Sequence, residues 1–227
     1  MSTIAENIRI LRETIAETCA RISRNPAEVT IVAVTKTVPP QRIQEAVDAG
    51  INILGENRVQ EALSKIGSVR GNIAWHMVGH LQRNKVKKAL EIFDLIQSVD
   101  SYELACEIDR HSARRNRKTD ILVEVNTSGE PTKFGVKPDQ ALDLVSRLAG
   151  LANINVVGLM TIGAFTDDER TVRKCFSTLR EISERIKSSF RDLDLKWLSM
   201  GMSSDYIWAI EEGSNMLRIG TAIFGAR

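Results

Sequence analysis

The chain opens on an amphipathic stretch. Ile4, Ile8, Leu11, Ile15 and Ile22 recur at helical spacing among charged residues, which predicts a helix over 3–24. From Val29 onward the pattern changes, and short apolar runs alternate with segments of helical period. The runs are VTIVAVTK (29–36), INILGEN (51–57), IAWHMVG (73–79), LIQSVD (95–100), DILVEVNT (120–127), NVVGLMTIG (155–163), KWLSMGMS (196–203) and MLRIGTAIFG (216–225). Runs without polar alternation belong to strands buried on both faces, as in a parallel sheet covered by helices. Eight strands separated by seven helical segments in 227 residues fit an α/β fold, a single (β/α)8 TIM barrel that begins with a helix. An open doubly wound sheet is the alternative, although it normally uses fewer strands at this length. No linker or low-complexity segment divides the chain, so 1–227 is read as one domain.

Polar residues gather at the C-terminal ends of these strands: Lys36, Glu56 with Asn57, His76 to His80, Asp100, Asn126 with Thr127, Thr161, Ser199 to Ser203, and Arg218 with Thr221. In a barrel all these ends open onto one face, where active sites of this fold are built. Lys36 ends an apolar strand. If it points inward, so do Val34, Val32 and Thr30, while Ala33, Ile31 and Val29 face the helices. A lysine at an apolar rim is partly desolvated, which favours the neutral amine that condenses with an aldehyde or ketone. The competing reading is a lysine that snorkels to water. After the seventh strand, Ser199-Met200-Gly201-Met202-Ser203-Ser204 leads into a helix expected near Ser204, and the eighth carries Arg218-Ile219-Gly220-Thr221. Glycines beside hydroxyls at a helix start suit a phosphate, although N-capping by Ser203 or Ser204 and a turn at Gly220 would use the same residues. The first and last strands are neighbours in a closed barrel. Amine and phosphate seat together therefore suggest a phosphorylated carbonyl compound, either pyridoxal 5′-phosphate (PLP) or the sugar phosphate of a Schiff-base aldolase. Arg218 shares the parity of Gly220 and should point inward. A guanidinium only donates, so it would leave a pyridine nitrogen unprotonated.

Composition narrows the field. Lys plus Arg number 31 and Asp plus Glu 29, a net charge of +2 that gives no whole-molecule field for nucleic acid or a membrane surface. Glu6, Arg9, Arg12 and Glu13 break any signal-peptide core, and no run of 18 apolar residues occurs. Cys19, Cys106 and Cys175 are widely spaced and form no CxxC, as expected of reduced thiols in a cytoplasmic protein. His76 and His80 are four apart, but Gly79 and a strand pattern argue against a metal pair. The basic run Arg110 to Lys118 lacks interleaved aromatics and reads as a solvated helix end. The expectation is a cytoplasmic monomer without metal, nucleic-acid or membrane partners.

The stretches KTVP, GENRVQE, WHMVGHLQRNK, TKFG, GLMTIG, LSMGMSSD and RIGTAIFG, in this order, closely resemble the pyridoxal phosphate homeostasis proteins, relatives of the N-terminal barrel of alanine racemase. The resemblance implies that PLP forms an internal aldimine with Lys36, that Ser203, Gly220 and Thr221 contact its phosphate, and that Arg218 sits near the pyridine nitrogen. Asn57, His76, Met160 and Ser199 match positions lining the pocket. Leu54 and Arg58 depart from the commoner aromatic and tyrosine, which puts the pocket wall in doubt there. The implied function is PLP homeostasis and cofactor supply, with apo PLP-dependent enzymes as possible partners; the alternative is a weak PLP-dependent amino-acid racemase. The last strand pattern ends two residues before Arg227. The expectation is therefore a barrel without alanine racemase's second domain, and with no clear acid–base partner for Lys36.

Overall fold

The computed structural model describes residues 3–225; Met1, Ser2, Ala226 and Arg227, at the ends of the expected domain, lie outside the described residues. The chain begins with α1 (Ile4–Arg21). Strands and helices then alternate as β1 (Thr30–Val34), α2 (Pro40–Asp48), β2 (Ile53–Glu56), α3 (Val59–Lys65), β3 (Ala74–Met77), α4 (Val86–Ala89), β4 (Leu95–Val99) and α5 (Tyr102–Ala113). They continue as β5 (Thr119–Glu124), α6 (Ala141–Leu148), β6 (Ile154–Met160), α7 (Glu169–Ser189), β7 (Trp197–Ser199), α8 (Tyr206–Glu211), β8 (Met216–Ile219) and α9 (Thr221–Phe224). The eight strands pair in chain order into a closed barrel, and β8 returns parallel to β1 with Arg218 opposite Val32.

Burial sorts the side chains into two layers. Val32, Val78, Leu95, Leu122, Met160 and Met216 fill the barrel, with Val34 and Ile162 packed against them. Ala33, Leu54, Ile96 and Ile121 lie in the shell between strands and helices, with Ile31 against it. The alternation expected along β1 is therefore the one observed for residues 31 to 34. In α1, Thr3 caps the first turn by accepting from Glu6 N–H, and Ile4, Ile8, Leu11 and Ile15 are buried. Ile22 departs from the expected face. The helix ends at Arg21, and Ile22, its C-cap, is 39% exposed.

The last two strands are shorter than predicted. β7 stops at Ser199, where the Ser214 hydroxyl donates to Met200 O at 2.7 Å and Gly201 adopts φ +97°. A Cβ on Gly201 would come within 2.6 Å of Ala209 Cβ, so this turn requires glycine. β8 stops at Ile219 rather than running to 225. The hydroxyl of Ser203 accepts the N–H groups of Gly220 and Ala222, which turns the chain into α9 and buries Ile223 and Phe224 as helical side chains. The helix expected near Ser204 starts at Tyr206.

The thiols of Cys19, Cys106 and Cys175 are free and sit on α1, α5 and α7. Arg114 to Lys118 form an exposed turn after α5, as expected of a solvated helix end. Among the described residues, no helix is long and apolar enough to cross a membrane.

Candidate functional site

At the C-terminal ends of β1, β2, β7 and β8, Lys36, Asn57, Ser203, Arg218, Gly220 and Thr221 converge on a cavity of about 330 Å³. Val34, Val78, Ile162, Met202 and Ser204 complete its wall. A larger hollow of about 600 Å³ lies at the opposite end of the barrel, against the starts of β1 and β2, and Arg12 is its one charged lining residue. Its size is not matched by reactive groups, so the smaller cavity is the candidate site.

β1 ends at Val34, which puts Lys36 just beyond the sheet. Thr35 is fully buried, whereas Lys36 is exposed at the cavity mouth. The partial desolvation expected of Lys36 is therefore not what the structure has; the strand stops two residues before it reaches the lysine. Among the described residues Lys36 has no ion-pair partner. Asn57 follows β2, and its buried side-chain oxygen Oδ1 has no hydrogen-bond partner. Gly79 permits this arrangement, since a Cβ there would stand 2.6 Å from Asn57 O. Ser203 Oγ accepts from Gly220 N–H at 3.3 Å and from Ala222 N–H at 3.1 Å.

Arg218 rises from β8 through the barrel and is only 5% exposed. It donates from Nη1 to Ser199 Oγ and from Nη2 to Thr161 O, both at 2.7 Å. Ser199 in turn donates to Gln97 Oε1 at 2.6 Å, and the Gln97 amide donates to His76 Nδ1 at 3.0 Å. That bond makes Nδ1 an acceptor, so the His76 ring is neutral with its proton on Nε2. Burial pushes His76 down to about 4, in keeping with a neutral ring. Burial also lowers Arg218 to about 10, opposed by the charges of Glu124 and Asp205, and it stays protonated at neutral pH. Glu124 is raised to about 7 by burial and by Asp100, with Arg218 pulling the other way.

The structure thus brings Lys36, Asn57, Ser203, Arg218, Gly220 and Thr221 together. His76, Met160 and Ser199 lie beneath the cavity instead of on its wall: Ser199 and His76 belong to the buried network, and Met160 to the barrel filling. Leu54 is buried on the helix side of β2 and Arg58 is exposed before α3, so neither departure from the family pattern touches this cavity. Glu56 likewise faces α3, where Lys65 pairs with it at 2.7 Å. His80 and His76 have separate partners, because His80 Nδ1 lies 3.3 Å from Asp100 and its ring stacks on Phe134 at 3.8 Å. Sequence reading missed Gln97 and Glu124. Their shared parity with Leu95 and Leu122, which fill the barrel, was the signal for them.

All 227 residues match the family described as alanine racemase, N-terminal domain. Alanine racemase of Clostridium difficile shares the fold, with a TM-score of 0.74 at 15% identity over 97% of this chain and 56% of that one. The architecture and the strand-end cavity accordingly define a barrel of the alanine racemase N-terminal class. Within it, the pyridoxal phosphate homeostasis protein of Aquifex aeolicus is 40% identical over 223 residues, spanning 98% of this chain and 97% of that protein. The protein of the same description from Escherichia coli K12 is 36% identical, spanning 100% and 98%. The structure of PipY of Synechococcus elongatus with PLP bound has a TM-score of 0.82 at 35% identity, covering 93% of this chain and 100% of that one. The chain belongs to the pyridoxal phosphate homeostasis protein family.

Proposed function

We propose that this protein binds PLP in the cavity at the strand ends and acts in PLP homeostasis and cofactor supply, holding the cofactor as a Schiff base on Lys36. The observation that carries the reading is the meeting of the Lys36 amine, the Ser203–Gly220–Thr221 turn and Arg218 in one cavity of about 330 Å³. The relative PipY, whose structure has PLP bound, supports it.

The residues fit such a ligand. Lys36 and Arg218 are the charged groups among the lining residues, and both are cationic, which suits a phosphate ester. Ser203 receives two N–H groups, and its own hydroxyl proton is available to a phosphate oxygen. Asn57 Oδ1 is a buried acceptor awaiting a donor. When bound, PLP supplies an aldehyde for amines and a ring that withdraws electrons. Arg218 donates only and gives the ring nitrogen no carboxylate to hold a proton, which weakens that withdrawal. Since Arg218 stays protonated, and the other polar lining residues are hydroxyls and an amide, Lys36 is the one lining group among the described residues suited to act as a general base. A reaction that must remove a proton on one face and return it on the other lacks its second group. The reading is therefore a carrier without robust turnover, serving apo PLP-dependent enzymes. The free thiols of Cys19, Cys106 and Cys175 support a reducing, cytoplasmic setting.

The phosphate assignment is tested with Ser203→Asp. Aspartate still caps the Gly220 and Ala222 N–H groups but sets a negative charge against the phosphate. PLP affinity, measured by equilibrium dialysis, is expected to fall about 100-fold with the melting temperature nearly unchanged. Wild-type affinity in this variant would place the phosphate elsewhere.

A further inference from the structure

Outside the cavity, on the helix side of β2, lies a charged cluster to which the cofactor reading gives no task. Glu56 is fully buried and Lys65 nearly so. Lys65 Nζ donates to three acceptors, Glu56 Oε1, Glu61 Oε1 and Thr35 O, each at 2.7 Å. Glu56 Oε1 also receives the Thr35 hydroxyl at 2.6 Å, while its Oε2 has no partner. Glu61 Oε1 accepts the backbone N–H of Thr37. Stability is a weak reason for burying such charges, since well-packed apolar side chains of similar volume commonly serve as well or better.

The contacts themselves suggest another reason. They grip the residues on either side of Lys36 and leave Lys36 itself untouched. Thr35 is held through its N–H by Gly55 O at 2.9 Å, through its hydroxyl by Glu56, and through its carbonyl by Lys65. Thr37 is held through its N–H by Glu61 in a left-handed conformation, φ 62°, which a β-branched residue adopts only when its surroundings impose it. The chain is past the end of β1 here, so no sheet ladder fixes the direction of the Lys36 side chain.

We propose that Glu56, Lys65 and Glu61 are positioning residues that clamp the Thr35–Thr37 backbone from behind the barrel and thereby aim Lys36 at the cavity. The inference rests on the reading that Lys36 holds PLP. It adds that the lysine's reach is set by α3 and not by the cavity wall. Glu61 is the residue to change, because it is the more exposed carboxylate of the cluster and its loss leaves the Glu56–Lys65 pair in place.

The full-length wild type, Glu61→Ala and Glu61→Gln are compared in two ways: backbone amide exchange of residues 35–38 without PLP, and the rate at which added PLP develops its protein-bound visible band. In Glu61→Ala, exchange at Thr37 is expected to rise and the band to form about tenfold more slowly, with the melting temperature close to wild type. Glu61→Gln, whose amide oxygen still accepts from Thr37, is expected to recover most of both. A Glu61→Ala variant that exchanges like wild type, or that forms the band at the wild-type rate despite faster exchange, would overturn the clamp. A wild type that takes up no PLP removes the cofactor reading and the aiming role with it. That outcome is distinct, since it fails before any variant is compared.

Discussion

Arg218→Ala is expected to destabilise the protein by about 4 kcal/mol at neutral pH, through two lost hydrogen bonds to buried acceptors and the void left in the barrel. Arg218 is the hub of the buried network. Its loss leaves Ser199 Oγ without a donor while Ser199 is still committed to Gln97, and it leaves Thr161 O bare at the end of β6. Glu124 loses the cation that opposes its burial, and Asp205 keeps only Lys133 of the two that oppose its own. Arg218→Lys keeps the charge but cannot fork to two acceptors set on different strands, and should fall between the two. Urea denaturation at pH 7 measures these differences. A loss within 1 kcal/mol for the alanine variant would mean that the network is not what holds the cavity floor.

The second large effect is a pH dependence with opposed parts. Glu124 is raised to about 7 in the folded protein, so from about 4.5 to 7 the native state binds more protons than the unfolded chain, and stability falls as pH rises. His76 is lowered to about 4, so between about 4 and 6.5 the unfolded chain binds more protons, and stability rises with pH. Each shift corresponds to something on the order of 3 kcal/mol, and over the shared window the two nearly cancel. These two groups alone would leave stability almost flat from pH 4.5 to 6.5, and the carboxyls of Glu56 and Asp205, also raised by burial, tilt the wild type toward lower stability as pH rises. Glu124→Gln unmasks the histidine: relative to wild type, stability should rise through this window and be greater at pH 8. His76→Gln should show the reverse slope. A His76→Gln profile parallel to that of the wild type would rule out a buried, neutral His76.

Much of this barrel could be read from the sequence, for a physical reason. A parallel sheet covered on both sides demands unbroken apolar strands, so each of the eight stands out without its partners. Parity then follows wherever a strand has a fixed end, and Val32, Ala33 and Val34 took the faces expected of them. Lys36, Ser203, Gly220 and Thr221 were legible because strand ends and glycine turns are local features. What escaped depends on partners far apart in the chain. Gln97 links His76 on β3 to Ser199 on β7, a bridge invisible until the barrel closes. The true end of β8 escaped because Ile223 and Phe224 are as apolar as strand residues, and only the capping of Gly220 and Ala222 by Ser203 curls them into helix. Glu56 looked like part of the strand-end face, yet a single residue of parity sends it to α3 and leaves Asn57 at the cavity.

Whether Lys36 holds PLP covalently is tested most directly by the visible spectrum of the PLP-loaded protein beside Lys36→Ala. A yellow wild type whose band survives gel filtration, is fixed to the peptide containing Lys36 by borohydride, and is absent from Lys36→Ala is the result this account predicts. A wild type that stays colourless with PLP, or a Lys36→Ala variant that keeps the same band, would contradict it.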